Sequence, residues 1–478
     1  MDTTGVEQQV IPLKVSEIAT ACGGKITYGD PDMIVTSVST DSRKMLDGEL
    51  FIPLVGDEFD GHDFIGSAVQ KGAAGWLTSK SPDSIKYKPR LEIDKYIVIE
   101  VDDTLKAYQD LAAAVRNRFK AKVIAITGST GKTSTKDMMS VILSKTMKTS
   151  ASPKNYNNEV GVPYTILNAP VDVQALILEM AMRGKGQIKE LAEIGKPDIG
   201  VITNIGVTHF ELLGSEDRIV EAKAELVDAM DSKGVCVTNK DDEQAYMIGK
   251  KARGRVVTYG LGESCDVRAT GLRVEEEGTA SFDIISQLDG ATGKIRISLN
   301  IPGRYNVYNA LAAAAVALLL GLSFDIIKKG LESASVSALR MEVIRTDGNF
   351  TIINDTYNAS PASMRAALET LRDMAGGSRS IAVLGDMFEL GGISKRCHID
   401  VGRYVADLKI DKLMTIGERA RDIAEGARGE GMPDEDIAMF ASIEEAGNAA
   451  RNILRNGDHV LVKGSRAMGL ERLVERIA

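Results

Sequence analysis

The stretch Ile124-Ala-Ile-Thr-Gly-Ser-Thr-Gly-Lys-Thr-Ser134 constrains this chain more than any other: an apolar strand runs through a glycine-rich turn into a helical pattern. Glycines at such a turn let backbone N–H groups approach phosphate oxygens, and the helix N-terminus behind them adds partial positive charge. Lys132 supplies a full cation, and the Thr133 hydroxyl suits a magnesium ligand. The common form of this phosphate loop has a further glycine where Ile126 stands, so the chain carries a shortened variant. Gly128, Ser129, Thr130, Gly131, Lys132, Thr133 and Ser134 are therefore the expected triphosphate cradle.

A chain of 478 residues exceeds one ordinary core and, at roughly 150 residues per domain, predicts about three domains. The net charge of −9 argues against a nonspecific grip on nucleic acid, which disfavours a helicase or DNA motor despite the phosphate loop. The N-terminal residues lack a basic start followed by an apolar core. The apolar run Ala310 to Leu320 falls short of the roughly 20 residues a membrane helix needs. A cytoplasmic protein with no membrane partner is expected. Cys22, Cys236, Cys265 and Cys397 form no C-x-x-C pair and read as reduced packing residues.

Short strands broken by Gly and Asp turns characterise residues 12–120, with Ser79–Ser84 as a loop and an amphipathic helix over Asp103–Lys120. Beyond 121, the apolar runs Val123–Thr127, Ala175–Met180, Ile199–Ile205 and Val235–Thr238 alternate with helices. That alternation predicts a doubly wound, mostly parallel sheet whose ligands lie beyond the carboxyl ends of the strands. From Arg340, strands Thr351–Asn354, Ile381–Leu384, Lys412–Ile416, Ile437–Phe440 and His459–Val462, each followed by a helix, predict a second Rossmann-like domain. The expected fold is α/β in three domains: a small α/β domain over 1–120, a central phosphate-loop domain over 121–339, and a C-terminal Rossmann-like domain over 340–478.

Glu179 ends an apolar strand, where a carboxylate is costly unless paired or bound to metal. His209 follows the next strand and is the one histidine of four placed where a nucleotide site should lie. His62, His398 and His459 read as structural. Lys223, on the helix Glu216–Met230, reads by composition alone as a solvated charge. The string Asn239-Lys-Asp-Asp242 mimics the guanine-reading motif of a GTPase. Its companion D-x-x-G is matched nearby only by Asp231-Ser-Lys-Gly234, crowded just ahead of it, which leaves a GTP-binding switch as a minor alternative.

Taken together, Thr127–Thr133, Asn155-Tyr-Asn-Asn-Glu-Val-Gly-Val-Pro163, Leu178–Met180, Asn204–His209 and Ala222-Lys-Ala-Glu225 closely resemble the Mur ligases. Pro302–Leu311, Asn354-Asp-Thr-Tyr-Asn-Ala359, Leu384–Gly391 and Val460–Arg466 continue the resemblance in the same order, toward the branch that adds D-alanyl-D-alanine. Thr40-Asp-Ser-Arg43 and Asp60–Phe64 fit that family's UDP-sugar domain. The resemblance implies an ATP-dependent carboxylate–amine ligase acting through an acyl phosphate on UDP-N-acetylmuramoyl-tripeptide, D-alanyl-D-alanine and ATP, with the C-terminal domain closing over the nucleotide. A monomer is expected.

By the same resemblance, Lys132 holds the β- and γ-phosphates, Thr133 and Glu179 bind one Mg2+, and His209 binds a second. Lys223 occupies a position that is carbamylated in several of these ligases, where the carbamate positions metal and water ligands. Asn306 and Asn309 are implied at the adenine, Asp355 at the ribose and Arg340 at the phosphates. Asn157, Asn158 and Tyr357 are implied at the peptide or dipeptide, and Ser42 and Arg43 at the uridine diphosphate. Two departures stand out. Met180-Ala-Met-Arg-Gly-Lys185 replaces a Gly-Ala-Asn-containing turn, making Arg183 a substrate-contact candidate, and Tyr305 stands where some relatives have His. A sibling ligase that adds a single amino acid, or a folylpolyglutamate synthase, is the nearest enzymatic alternative.

Overall fold

The computed structural model describes residues 10–81, 92–208, 210–275, 277–335 and 337–478. The loop expected over Ser79–Ser84 is thus described only to Ser81, and His209 lies outside the described residues. The chain divides into two compact units. One comprises Met1–Ala125, Met147–Met180 and Lys189–Asp198, and the other Ile126–Thr146, Ala181–Ile188 and Ile199–Ala478.

In the first unit a five-stranded sheet runs in the order Lys25–Tyr28, Ile97–Glu100, Gly75–Thr78, Leu50–Phe51, Val38–Ser39. Only its first strand is antiparallel to its neighbour. Its core gathers Phe51, Ile65 and Val98 around the fully buried Trp76, the single tryptophan of the chain. The helix expected over Asp103–Lys120 spans Thr104–Arg116, with the Asp103 carboxylate accepting from the Lys106 N–H as its N-cap. The same unit holds the parallel pair Thr149–Ala151 and Ala175–Glu179, the second buried throughout as the apolar run predicts.

In the second unit Ile199–Ile202, Val235–Asn239, Arg255–Gly260 and Val267–Val274 pair in parallel, one after another. Two antiparallel strands that the apolar pattern did not announce, Thr279–Ser286 and Gly293–Pro302, complete this run. Their mixed sequences, laced with Ser, Asp, Lys and Arg, are only part-buried, so no continuous apolar run marks them. The alanine-rich segment forms the buried helix Asn306–Leu319. Its small side chains allow close packing against the helix that follows the phosphate loop, Lys132–Leu143.

Residues from Glu342 onward form a six-stranded sheet in the order Glu342–Arg345, Thr351–Asp355, His459–Lys463, Ser380–Gly385, Lys412–Ile416, Ile437–Phe440. The last five strands are parallel and match those expected, each followed by a helix. The antiparallel Glu342–Arg345 is additional. Alternation along the strands supplies two cores. Ala382, Leu384 and Leu461 face the helices Pro361–Ala375, Ser394–Asp407 and Arg421–Gly429, whereas Ile381, Val383 and Val460 face Ile443–Ile453 and Glu471–Ile477.

His398 keeps the structural role expected of it. Its Nε2 accepts from the Met387 N–H at 3.0 Å, its Nδ1 lies 2.8 Å from the Ser394 carbonyl, and burial pushes its pKa down. A folded-state pKa below the unfolded value means that the unfolded chain binds the extra proton first as pH falls. Wild-type protein is therefore expected to lose more stability than His398→Gln on going from pH 7.5 to 5, within and below the ordinary histidine range. Urea midpoints followed by far-UV circular dichroism check this. Equal losses in the two proteins would contradict it.

Candidate active site

The strand Lys122–Thr127 delivers the chain to Gly128, whose φ is +147°, and Gly131, at φ +79°, opens the helix Lys132–Leu143. Both glycines are enforced by close approach. A Cβ on Gly128 would lie 1.9 Å from Thr203 Oγ1, and one on Gly131 would lie 2.4 Å from Asn309 Oδ1.

The residues after the strand Ile199–Ile202 clamp the loop from one side. The Ser129 N–H donates to the Asn204 carbonyl at 2.9 Å and the Thr130 N–H to Asn204 Oδ1 at 2.9 Å. The Thr203 hydroxyl and the Asn204 amide both donate to the Thr130 carbonyl, at 2.7 and 3.1 Å. Gly206 N–H donates to the Ser129 hydroxyl, which donates to the Gly206 carbonyl. With Ser129 and Thr130 so engaged and no side chain capping the helix, the amide donors presented to an anion belong to the helix's first turn. Thr133 lies buried in that turn. Lys132 Nζ donates to the Gly128 and Ser129 carbonyls at 2.7 and 3.3 Å, which sets the cation against the loop.

On the other side, Thr135 Oγ1 donates to Asn309 Oδ1 at 3.3 Å, Asn309 Nδ2 to Asn306 Oδ1 at 2.8 Å, and Asn306 Nδ2 to the Pro302 carbonyl at 2.7 Å. Asn306 and Asn309, both buried, thus brace the loop helix through a chain of side-chain hydrogen bonds. The guanine-like string has structural tasks. Asp242 accepts from the Ala245 N–H as a helix cap and from the Ile205 N–H, and Asn239 Oδ1 accepts from the Asp241 N–H.

Lys223 departs from its composition-based reading. It is 3% exposed, and burial first, then the Lys132 charge, push its amine well below the usual lysine range. A clue lay in the helix period: Lys223 sits four residues after Ile219 and three before Leu226, on the stripe that the helix Glu216–Asp228 buries. The same helix tethers the Arg183 segment, since Glu225 Oε1 accepts from the Gly186 N–H and Lys185 pairs with Glu221. Arg183 itself is exposed, its N–H donating to Gln187 Oε1 at 2.6 Å.

In the C-terminal part of this unit the Arg340 guanidinium lies 3.9 Å from the Tyr357 ring centroid. Leu339 and Met341 on either side of it hold left-handed φ values of +64° and +55°. Such backbone costs roughly 1–2 kcal/mol per non-glycine residue. Asp355 Oδ1 accepts from the Met341 N–H at 3.2 Å, and its Oδ2 pairs with the buried Lys463.

In the first unit Glu179 is 2% exposed. Asn157 Nδ2 donates to its Oε1 at 2.8 Å, whereas its Oε2 is buried with no hydrogen-bond partner among the described residues. An orphaned, buried carboxylate oxygen suits a cation. No group of three or more His, Cys, Asp or Glu that could hold a metal occurs among the described residues. Asn158 Oδ1 accepts from the Gly161 N–H. Ser42 is buried, and the exposed Arg43 pairs with Asp41.

The sequence marked the loop, Glu179 and Lys223, offered Asp242 only as part of a guanine-like string, and assigned no task to Thr203 or Asn204. The polar Thr203-Asn204 pair at the end of an apolar strand was the available signal.

Three family models match consecutive parts of the chain: the Mur ligase family catalytic domain over residues 34–116, the Mur ligase middle domain over 126–317, and the Mur ligase glutamate ligase domain over 339–466. Similar curated proteins include the UDP-N-acetylmuramoyl-tripeptide–D-alanyl-D-alanine ligases of Bacillus subtilis and Escherichia coli. The first is 37% identical, covering 92% of this chain and 93% of the relative, and the second 32% identical, covering 98% and 99%. Among solved structures, MurF from Acinetobacter baumannii superposes with a TM-score of 0.88 at 30% identity, over 98% of this chain and 99% of that one. MurF from Thermotoga maritima in complex with ADP superposes with a TM-score of 0.79 at 27% identity, over 92% and 96%.

Gly128→Ala is expected to weaken ADP binding by about tenfold or more, because the methyl group must displace the Thr203 clamp. Calorimetric titration checks this, and unchanged affinity would contradict the clamp.

Proposed function

The chain belongs to the Mur ligase family, and on that footing we propose that it joins D-alanyl-D-alanine to the terminal carboxylate of UDP-N-acetylmuramoyl-tripeptide, driven by ATP, in peptidoglycan precursor synthesis. The observation that carries this reading is near end-to-end similarity to ligases of that name, with the phosphate loop intact. Of the alternatives, a GTP switch lacks support, since Asp242 caps a helix. The domains are read as 1–120 for the UDP sugar, 121–339 for ATP and 340–478 as the Rossmann-like third domain. No helix among the described residues is long and apolar enough to cross a membrane; a cytoplasmic location and a monomeric state are part of the proposal.

The substrate carboxylate oxygen attacks the γ-phosphorus of ATP as the bond to ADP breaks, giving an acyl phosphate. The dipeptide amine then attacks the acyl carbon, loses a proton, and the tetrahedral adduct expels phosphate to leave the amide. Lys132 and the first turn of its helix bind and orient the phosphates, and Arg340 contacts them from the C-terminal part. No covalent enzyme intermediate is required.

Magnesium, when bound, neutralises charge between carboxylate and phosphate. The Glu179 carboxylate, with its orphaned Oε2, suits such an ion; Thr133 is the proposed hydroxyl ligand and His209 the proposed ligand of a second ion. Lys223 fits carbamylation for a stated reason: burial favours the neutral amine, the form that attacks carbon dioxide. Asn306 and Asn309 are proposed beside the adenine, with Asp355 at the ribose. Asn157 and Asn158 are proposed to orient the peptide, with Arg183 contacting substrate and Ser42 and Arg43 meeting the uridine diphosphate.

ADP formation is expected only with UDP-tripeptide and D-alanyl-D-alanine together, not with single amino acids, and the product mass should equal their sum less water. Lys132→Ala should reduce that rate by about a thousandfold. Activity with a single amino acid instead would replace this reading with a sibling ligase, and ADP formation independent of both substrates would overturn the ligase reading. Lys223→Ala should lose most activity and regain part of it with added short carboxylic acids. Full activity without rescue would remove Lys223 from the site.

A further inference from the structure

Arg340 is held in an unusual way. It stands between two non-glycine residues in left-handed backbone, Leu339 and Met341, and both neighbours are pinned to the segment that carries Tyr357. The Tyr357 N–H donates to the Leu339 carbonyl at 3.1 Å, and the Met341 N–H donates to Asp355 Oδ1 at 3.2 Å. That segment is fixed in turn: Lys463 pairs with Asp355 and donates to the Asn358 carbonyl at 2.8 Å, while Asn354 Nδ2 donates to Glu342 Oε2 at 2.9 Å. Arg340 lies two residues before the strand Glu342–Arg345 and Tyr357 two residues after Thr351–Asp355, so the guanidinium and the ring flank two strands joined by backbone and carboxylate bonds, and they meet at 3.9 Å.

We propose that Tyr357 is the positioning residue for Arg340, holding the guanidinium against its ring so that the planar N–H fork is set for the phosphate oxygens of the nucleotide. The inference rests on reading Arg340 as a phosphate contact. Stacking uses the face of the guanidinium and leaves its in-plane N–H donors available, which is the geometry a bidentate phosphate contact needs. An arginine already confined to one orientation also loses less rotamer freedom when the phosphate arrives. The ring, not the hydroxyl, does this work, so Tyr357 acts through Arg340 and not directly on the peptide or dipeptide.

Initial rates of the full-length enzyme with ATP, UDP-tripeptide and D-alanyl-D-alanine varied in turn test the proposal. Tyr357→Leu should raise the KM for ATP by about tenfold and leave the other two KM values within about twofold. Tyr357→Phe, which keeps the ring, should restore the ATP KM. Arg340→Ala should raise it at least as far as Tyr357→Leu, and the double variant no further, because both changes remove one interaction. Tyr357 is only half-buried, so its truncation opens no core. Should Tyr357→Leu nevertheless fail to fold, Arg340→Lys, which keeps charge but not the plane, should raise the ATP KM in its place. An ATP KM unmoved by Tyr357→Leu, or by Arg340→Lys where that variant stands in, while Arg340→Ala raises it, would overturn the positioning role. A raised peptide or dipeptide KM in Tyr357→Phe would overturn it in favour of a hydroxyl contact. An Arg340→Ala enzyme with unchanged ATP kinetics would instead overturn the phosphate reading beneath it.

Discussion

The close approach at Gly128 and Gly131 is the constraint on which the nucleotide site depends. Thr203 and Asn309 occupy the space where side chains would stand, so the loop is held between a strand exit and a buried helix. The clamp also directs the loop's donors. Because Asn204 takes the amides of Ser129 and Thr130, the helix's first turn, with its dipole and Lys132, is the surface proposed for the anion. A glycine loop alone would be floppy, and it becomes a cradle because neighbouring polar side chains fix it from two sides.

Much of this was legible in the sequence wherever one physical cause dominated. Strands buried on both faces, such as Ala175–Glu179 and Lys412–Ile416, write themselves as apolar runs, and the phosphate loop has a fixed spacing. The strands Thr279–Ser286 and Gly293–Pro302 were not legible, because partly buried antiparallel strands interleave Ser, Asp, Lys and Arg with apolar residues, which also describes loops. The brace through Asn306, Asn309 and Thr135 was illegible for another reason. Which partner a buried amide finds depends on a helix more than 170 residues away in the chain.

Lys223 shows where composition misleads. A lysine flanked by glutamates resembles a solvated helix face, yet the period places it on the buried stripe of Glu216–Asp228. No full charge is stable there without a partner, and the nearby Lys132 cation makes the ammonium less favourable still. Burial therefore favours the neutral amine. The helix period hints at that burial, and the fold shows it.

The linker before the C-terminal sheet ties both cations of the proposed phosphate site into one bonded path. Ser337 hydrogen-bonds Asp137 on the helix that Lys132 begins, and three residues later Arg340 stacks on Tyr357. Glycines at 339 and 341 would relieve the left-handed strain but would also free the linker to sample many orientations. Leucine and methionine keep the strain and restrict those alternatives, and the bonds from Tyr357 and Asp355 hold the strained form in place. Such a restrained linker suits the phosphate contact proposed for Arg340, since an arginine whose orientation is already decided loses less freedom on binding.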